Sequence, residues 1–331
     1  MKNKLNIAVV GATGLVGRTM LQVLDEYGIE IDNLYLFGSA RSAGKSIIFR
    51  DREYTIIELS HIIPSDIDYA LFSAGGSTSR EFAPTFAALG TIVIDNSSAW
   101  RMNPECPLVV PEVNPHHLLH HNNIIANPNC STIQMVLPLK ALAEKYGLKR
   151  VVVSTYQSIS GAGQKGIDKL NNEIAGKKDG NLSKHPIAFN SFFHSFADDS
   201  GFTEEEVKMI NETRKILDLP KLSITATCVR LPIIGGHGES LNVELAQEYD
   251  IRELKQTIAE FPGIILMDGD EKNETYPTIK TCEGKDEVFV GRIRRDSSAN
   301  NAVHLWLTAD NVRKGAATNA VQIMIKLEDM Q

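Results

Sequence analysis

The sequence predicts an α/β protein of two domains, with a parallel sheet in the first and a mixed α/β arrangement in the second. Three observations support this prediction. The chain has 331 residues, which corresponds to about two domains of ordinary size. Short apolar strands alternate with helical patterns over residues 1–129, as in βαβ units. Later strands include alternating apolar and polar stretches, as antiparallel strands with one solvated face do.

The first domain begins with an apolar strand and a glycine-rich turn. A helical pattern follows over residues 16–27, because apolar side chains recur there at spacings of three and four. Another helix is predicted at 78–89. The strands of this domain are predicted at 5–10, 34–37, 69–72 and 91–94.

The second domain begins with one helix over 131–146, despite Pro138 within it. An amphipathic helix over 312–328 closes the chain, with Asp310 or Asn311 as its cap. Residues 171–185 are rich in Asn, Lys and Gly and are predicted to form an exposed loop. The strands are predicted at 149–158, 223–230, 241–248, 286–294 and 302–309.

Composition and charge exclude several classes of protein. With 43% hydrophobic and 23% charged residues, the chain is neither disordered nor fibrous. The formal net charge of −7 without a basic stripe argues against a nucleic-acid partner. No apolar run approaches the roughly 18 residues of a membrane span, so no membrane partner is expected.

Cysteine usage indicates a reducing, cytoplasmic environment. The four cysteines form no C-x-x-C pair, so a zinc knuckle or a thioredoxin-type motif is not expected. They are too few for a disulfide scaffold in a chain of this length. The N-terminal residues lack the apolar segment of a secretory signal.

The turn after the first strand has the spacing G-x-x-G-x-x-G at Gly11, Gly14 and Gly17. A strand, a glycine-rich turn and a helix in this order form a cradle for a pyrophosphate at the helix N-terminus. The spacing differs from the usual G-x-G-x-x-G, and the alternative is a tight turn without a ligand. The flanking strand and helix favour a dinucleotide site.

The end of the second strand indicates which dinucleotide is bound. NAD sites place an acidic residue there for the ribose 2′-hydroxyl. This chain instead has Arg41 between Ser39 and Ser42. A guanidinium fork and hydroxyl groups suit a 2′-phosphate, so the predicted cofactor is NADP(H). The alternative is that Arg41 is a solvated loop residue.

Cys130 follows Pro128 and Asn129 and precedes an apolar helix. At a helix N-terminus the dipole and the free N–H groups favour a thiolate and can receive an oxyanion. A lone cysteine is more often buried and inert, but a cofactor site upstream favours an activated thiol. The combination indicates aldehyde–acyl redox chemistry through a thioester.

Such a thiol requires a base, and His237 has the most informative context of the nine histidines. Glycines flank it, and Arg230 lies seven residues earlier, where it is suited to bind a carboxylate. The cluster His116, His117, His120 and His121 has spacings compatible with metal binding, but a solvated, partly frayed helix is the expected structure. No metal is expected.

Several ordered motifs along almost the whole chain resemble the aspartate-β-semialdehyde dehydrogenase family. They are GATGLVG at 11–17, SARSAGK at 39–45, NSSAWRM at 96–102, PNCST at 128–132, QSISGAG at 157–163, EEVKMINETRKIL at 205–217, RLPIIGGHGES at 230–240 and ADNVRKGAATNAVQI at 309–323. The resemblance implies NADPH-dependent reductive dephosphorylation of L-aspartyl-4-phosphate to L-aspartate 4-semialdehyde. Family members feed lysine, methionine, threonine and isoleucine synthesis by this reaction.

The resemblance also implies residue roles. Cys130 is the nucleophile and His237 the general acid/base, while Gln157 positions the substrate. Arg230 holds the α-carboxylate and Glu206 the α-ammonium group, Glu206 being chosen over Glu204 and Glu205 for its spacing to Lys208. Arg101, Asn129 and Lys208 hold the phosphate. The residues that line the NADP site are Thr13, Gly14, Leu15, Val16, Arg41, Ser42, Ser160, Gly161 and Asn311.

The architecture implied is a Rossmann-type domain over 1–129, completed by the C-terminal helix 311–331, and a catalytic and dimerisation domain over 130–310. A homodimer or a dimer of dimers is expected. Two rival functions remain. N-acetyl-γ-glutamyl-phosphate reductase has related chemistry but no need of an acid for an ammonium group, and an NADPH-sensing regulator would bind the cofactor without turnover.

Overall fold

The computed structural model describes residues 4–177, 184–269 and 275–330, and the chain divides into two units. The N-terminal unit comprises residues Met1–Asn129 together with Ala316–Gln331. The central unit comprises Cys130–Gly315, so its residues interrupt the N-terminal unit along the sequence.

The N-terminal unit is built on a six-stranded sheet in the order β5-β2-β1-β6-β7-β8, and every neighbouring pair in it is parallel. The strands of the whole unit, including two outside this sheet, are β1 Leu5–Val10, β2 Ile31–Gly38, β3 Ser46–Phe49, β4 Arg52–Thr55, β5 Ile57–Glu58, β6 Tyr69–Phe72, β7 Ile92–Asp95 and β8 Ile124–Ala126. The helices α1 Leu15–Glu26 and α2 Gly76–Ala88 connect strands of this sheet. Strands β3 and β4 form a separate antiparallel hairpin. This is the predicted Rossmann-type arrangement.

Strand β1 divides the core of this unit into two layers because its side chains alternate between the faces of the sheet. Ile7 and Val9 belong to the cluster that contains Met20 and Leu24 of α1. Ala8 and Val10 belong to the opposite cluster, with Phe86 of α2. The strands on either side of β1 are β2 and β6, so the order reverses at β1, which is where ligands bind in such sheets.

The central unit contains a seven-stranded mixed sheet in the order β10-β11-β9-β12-β15-β14-β13. Its strands are β9 Leu148–Gln157, β10 Phe192–Phe193, β11 Ser223–Arg230, β12 His237–Leu245, β13 Ile264–Leu266, β14 Val288–Arg295 and β15 Ala302–Ala309. Its helices are α3 Cys130–Tyr146, α4 Gln164–Ile174, α5 Glu204–Ile216, α6 Ile251–Ala259 and α7 Ile279–Cys282. Pairing is parallel for β11–β9 and β13–β14 and antiparallel for the other neighbours. The mixed α/β class is confirmed.

Helix α3 is buried along most of its length, and it continues through Pro138 as predicted. Its apolar residues face neighbours on several sides, which explains why the sequence there lacks a clear polar face. Across the parts of the chain that the structure describes, no helix combines the length and the apolar character needed to cross a membrane.

The helix that closes the chain starts later than predicted. Residues Arg313–Ala317 form a π-helical turn, and the α-helix α8 spans Thr318–Met330. Asp310 is the capping residue of the turn, because its Oδ1 accepts hydrogen bonds from the N–H groups of Val312 and Arg313. Buried side chains of α8, including Met324 and Leu327, pack in the core of the N-terminal unit.

Three further predictions differ from the structure. The segment 171–185 is not all loop, since α4 extends to Ile174; residues 178–183 lie outside the described residues. The strand expected at 241–248 starts at His237 and ends at Leu245, because pairing with β9 extends through the glycine at position 238. The histidine cluster lies on a 3₁₀ turn, Pro115–His120, that begins with proline, rather than on a frayed α-helix.

Candidate active site

Three adjacent strands of the central unit place three predicted site residues next to one another. Arg230 at the end of β11 pairs with Gln157 at the end of β9. His237 at the start of β12 pairs with Gln157 from the other side. Residues paired directly across neighbouring strands point to the same face of a sheet. Sequence positions 157, 230 and 237 therefore form one row.

Cys130 and His237 are in contact. The Cys130 Sγ lies 3.3 Å from Nε2 of His237. Cys130 is the first residue of α3 and is half-buried, whereas His237 is fully buried. Burial, followed by the charge of Arg230, lowers the pKa of His237 to about 3, so its imidazole is neutral at physiological pH. A thiol beside a neutral imidazole nitrogen is the arrangement of a nucleophile with its base.

Gln157 is fully buried at the centre of the row. Its Nε2 donates to the Ser131 hydroxyl at 2.6 Å and to Oε1 of Glu205 at 3.2 Å. Its carbonyl oxygen Oε1 is buried and has no hydrogen-bond partner among the described residues. A buried acceptor without a partner is costly, so this oxygen is suited to receive a donor from a ligand.

Helix α5 begins with three consecutive glutamates, and the structure separates their roles. Glu206 forms a capping box with Thr203, accepting from its N–H at 2.7 Å, and its Oε1 accepts from the N–H of Cys228 at 2.9 Å. Both of its oxygens are thus held by backbone groups of the fold. Glu205 instead contacts Gln157 and lies 3.4 Å from Nζ of Lys208.

Glu206 was predicted to face the substrate, but backbone groups hold both of its oxygens, and the acid that the fold places beside Gln157 is Glu205. The physical reason is helix rotation. Adjacent helical residues are about 100° apart around the axis, so one position decides which carboxylate caps the helix and which faces the sheet. Residue spacing alone favoured Glu206.

Arg230 is half-buried, and its Nη1 donates to the Ser158 carbonyl at 2.7 Å. It lines a cavity of about 1230 Å³ whose walls include His194 and Phe192. Neither Cys130 nor His237 lines this cavity. The backbone thus fixes the guanidinium through Nη1, and the residue borders open space, which suits an arginine that binds a carboxylate.

His194 is a residue that the sequence analysis missed. It follows β10, and burial, followed by the charge of Arg230, lowers its pKa to about 4. Both ring nitrogens are buried and make no hydrogen bond of normal geometry among the described residues, although the backbone of Cys228 acts on the ring as a hydrogen-bonding neighbour. No local pattern marks this position, because its neighbours Glu205 and Arg230 are distant in sequence.

Three central-unit residues predicted at the cofactor are close together. Asn311 is buried, and its Nδ2 donates to the Ser160 hydroxyl at 2.9 Å. Gly161 lies against Arg230, because a Cβ there would come within 2.7 Å of the arginine Nη1. Ser160 and Gly161 belong to the short 3₁₀ turn Ile159–Ala162 that follows β9.

The predicted phosphate cradle of the N-terminal unit follows β1. Gly11 has φ +88°, and a Cβ at this position would overlap the carbonyl oxygen of Ser73, so the turn requires glycine here. Thr13 and Ser42 approach each other, with 3.4 Å between their hydroxyl oxygens. Gly14 caps α1, and Leu15 and Val16 form its first turn, whose N–H groups face outward along the axis. Arg41 is exposed in the turn after β2. These residues fit a dinucleotide phosphate.

Arg101 and Asn129 are both buried in the N-terminal unit. Nε of Arg101 donates to the Asn127 carbonyl at 3.0 Å, and Nη2 donates to the Asn96 carbonyl at 2.9 Å. These two backbone carbonyls thus fix the position of the guanidinium.

The other three cysteines differ from Cys130. Cys106, Cys228 and Cys282 are all buried. Burial raises the pKa of the Cys228 thiol strongly and that of the Cys282 thiol to about 12. Both groups are protonated at neutral pH and are poor nucleophiles.

The chain matches family models over both of its units. Residues 6–121 match the family model "Semialdehyde dehydrogenase, NAD binding domain", and residues 139–314 match "Semialdehyde dehydrogenase, dimerisation domain". Aspartate-semialdehyde dehydrogenase of Aquifex aeolicus is 52% identical to the chain over 328 residues, which are 96% of each protein. The chain belongs to the aspartate-semialdehyde dehydrogenase family.

Other members of the aspartate-semialdehyde dehydrogenase family match the full length. The enzyme of Bacillus subtilis is 46% identical over 100% of this chain and 99% of its own. A crystal structure described as aspartate semialdehyde dehydrogenase II from Vibrio cholerae, complexed with ASA, superposes with a TM-score of 0.94 at 43% identity, covering 99% of both chains. The fold and the domain pair are therefore those of the family.

Proposed function

We propose that this chain is an aspartate-semialdehyde dehydrogenase, which reduces L-aspartyl-4-phosphate to L-aspartate 4-semialdehyde and phosphate, reversibly and with NADPH. It serves the synthesis of lysine, methionine, threonine and isoleucine. Family membership supports the reaction, and the 3.3 Å contact between Cys130 and His237 is the observation that carries the chemistry.

Cys130 is the nucleophile. Its Sγ attacks the acyl carbon of the aspartyl phosphate, the bond to the phosphate oxygen breaks, and inorganic phosphate leaves. The product is a thioester on Cys130. Nε2 of His237 takes the thiol proton as the attack begins, which its neutral state allows. The same nitrogen passes that proton to the departing phosphate. Once the thioester has been reduced to a thiohemiacetal anion, its collapse releases the aldehyde and the Cys130 thiolate, and Nε2 of His237, protonated again from solvent, restores the thiol.

The substrate groups are assigned to charged side chains of opposite sign. Arg230 binds the α-carboxylate with the side of its guanidinium that faces the cavity. Glu205 and the free Oε1 of Gln157 receive the α-ammonium group, since both are acceptors in the same row. Lys208 binds the phosphate, and Arg101 and Asn129 keep the phosphate-binding roles predicted for them.

The N-terminal unit holds the NADP phosphates at Thr13, Gly14, Leu15 and Val16, with Arg41 and Ser42 at the 2′-phosphate. Ser160, Gly161 and Asn311 keep the cofactor-binding roles predicted for them. When bound, NADPH supplies the hydride that reduces the thioester. The missing acid at the end of β2 and the hydroxyl pair Thr13–Ser42 support NADP over NAD.

We also propose a homodimer or a dimer of dimers acting in the cytoplasm. The match to a dimerisation domain over residues 139–314 supports assembly through the central unit. The cysteine usage of the sequence and the biosynthetic function of the family support a reducing compartment.

The test is formation of NADPH from L-aspartate 4-semialdehyde, with and without phosphate. We expect turnover that depends on phosphate and is abolished by C130A, with NADPH binding kept within a few-fold. A preference for N-acetyl-glutamate semialdehyde would assign the chain to the rival reductase. Cofactor binding without turnover on either aldehyde would favour the regulator.

A further inference from the structure

Ser158 occupies an unusual position behind the catalytic histidine. It is fully buried and lies at the N-terminal cap of the turn Ile159–Ala162, where a serine hydroxyl usually bonds to the N–H groups of the next residues. Here the hydroxyl makes no cap hydrogen bond. Instead it lies 3.2 Å from Nδ1 of His237 and 3.0 Å from the hydroxyl of Ser160.

The same hydroxyl is connected to Asn311. Ser158 Oγ donates to Oδ1 of Asn311 at 3.0 Å. The orientation of this amide is fixed, because its Oδ1 also accepts from the N–H of Gly236 at 3.0 Å. The contacts therefore form a chain from Cys130 through His237 and Ser158 to Asn311. A nucleophile, a base and a third group that orients the base is the general pattern of such sites.

The two protonation states of Nδ1 make different demands. When Nε2 carries the imidazole proton, Nδ1 is an acceptor, and the N–H of Ser158 donates a hydrogen bond to it at 3.1 Å. When Nε2 takes the proton of the Cys130 thiol, Nδ1 carries a hydrogen and needs an acceptor. The backbone N–H of Ser158 opposes that state, but a hydroxyl group rotates and offers a lone pair.

We propose that the Ser158 hydroxyl, backed by Asn311, is a positioning residue that accepts a hydrogen bond from Nδ1–H of His237 whenever Nε2 acts as a base. The hydroxyl then donates its own hydrogen to Oδ1 of Asn311, so it accepts one hydrogen bond and donates another at the same time. The proposal rests on the function assigned to Cys130 and His237 and adds a third group to their pair. The carbonyl of Gly236, 3.1 Å from Nδ1, is the competing acceptor.

The test uses Ser158→Ala in the full-length enzyme, with iodoacetamide as the probe of Cys130. The alanine keeps the opposing N–H but removes the hydroxyl, so formation of the imidazolium becomes less favourable. The charged and titratable groups that act on His237 are Cys130, Arg230, Glu205 and His194. They are unchanged in the variant. Loss of a hydrogen bond to a charged group changes an equilibrium constant by about 10- to 100-fold.

We expect the pH of half-maximal alkylation of Cys130 to rise by about one unit, and kcat to fall about 10-fold or more, while KM for the semialdehyde stays within about threefold. Thr155→Val is the matched control. It removes a buried hydroxyl of β9 that lies beside the Cys228 thiol, and it should leave the alkylation profile in place.

An unchanged alkylation profile and a kcat within twofold in S158A would assign the role to the Gly236 carbonyl and overturn the proposal. An equal shift in T155V would show a general effect of packing and overturn it as well. Alkylation needs neither substrate nor cofactor, so failure of the proposed reaction is seen separately, as lack of turnover in the unaltered enzyme.

Discussion

At the scale of single residues, Glu239 is an acid that the proposed reaction does not use. It lies two positions after His237 and is fully buried, and neither carboxyl oxygen has a hydrogen bond of normal geometry among the described residues. Burial raises the pKa of Glu239 well above its usual value, and the charge of Glu205 adds to this; the neighbouring amide of Gln134 acts in the opposite direction. The folded protein therefore keeps a proton that the unfolded chain releases.

Glu239→Gln should stabilise the protein at neutral pH. The folded state holds this proton above the unfolded pKa of about 4.5, so stability falls as pH rises from that value. Glutamine does not titrate, so the variant does not lose this stability. The loss in the parent is about 1.4 kcal/mol for each unit by which folding raises the pKa. Thermal unfolding of both proteins from pH 4.5 to 8 should show a gap that widens with pH. Glu244→Gln on the same strand should show none. Parallel curves for E239Q and the parent would contradict a buried neutral acid.

Arg41 is the residue on which cofactor preference depends. It is exposed, so its contact with a 2′-phosphate is a charge-assisted hydrogen bond open to screening by salt. Such a bond corresponds to a preference for NADP over NAD of about 10- to 100-fold in kcat/KM. Arg41→Ala should remove most of this preference by weakening NADP while NAD use stays level. The measurement is kcat/KM for both cofactors at fixed ionic strength; a ratio that does not change would mean that Arg41 faces solvent.

Some residues of the site could be predicted from sequence and others could not, for a physical reason. Cys130 at a helix start follows from the local turn signal of Pro128 and Asn129, and the structure begins α3 at that cysteine. The contacts of Ser158 and His194 depend on side chains that are distant along the chain. No periodicity or spacing carries such information, because strand pairing and side-chain orientation create these contacts only in the folded state.

At the scale of elements, the first turn of α5 combines two tasks on adjacent residues. Glu206 closes the capping box and Glu205 faces Gln157. The sequence shows the run of three glutamates, but it does not show the rotation of the helix, which its cap sets. The same limit explains the late start of α8, where Asp310 caps a π-helical turn that no spacing rule indicates.

The two glutamates should give opposite phenotypes when changed to glutamine. Glu206→Gln replaces one acceptor oxygen by an NH2 group that faces a backbone N–H, so it should lower the free energy of unfolding by about 1–2 kcal/mol. Its KM values should change little. Glu205→Gln should raise KM for the semialdehyde about 10-fold with little change in stability. Urea unfolding and steady-state kinetics on both variants separate the two; a larger kinetic effect in E206Q would restore the original assignment.

At the scale of the whole molecule, each unit contains one of the two tryptophans. Trp100 lies in the N-terminal unit and donates to the Ser79 hydroxyl, and Trp306 lies in the central unit and donates to the Pro277 carbonyl. When one tryptophan is replaced by phenylalanine, the fluorescence of the other reports on the unit that contains it.

Met324→Ala tests the contribution of α8 to the N-terminal unit. Met324 is fully buried in the core that contains Ile7 and Leu24, so its truncation should cost about 2–5 kcal/mol. The urea transition reported by Trp100 should move to lower concentration by more than the transition reported by Trp306. Met330→Ala, at a partly exposed position of the same helix, is the control and should move neither. Equal shifts of both transitions would mean that the units unfold together.

The insertion of the central unit into the N-terminal unit has a consequence for synthesis on the ribosome. Strands β1 to β8 emerge first, together with α1, which packs on one face of their sheet. The second helix on that face, α8, comes from residues 318–330, after the whole central unit. At about 5–20 residues per second, that face waits roughly 10 to 40 seconds for its cover. The central unit is continuous in sequence and has all its strands before α8 leaves the exit tunnel. A nascent chain therefore exposes the part of this apolar face that α8 covers, and residues translated after the central unit complete the first domain begun.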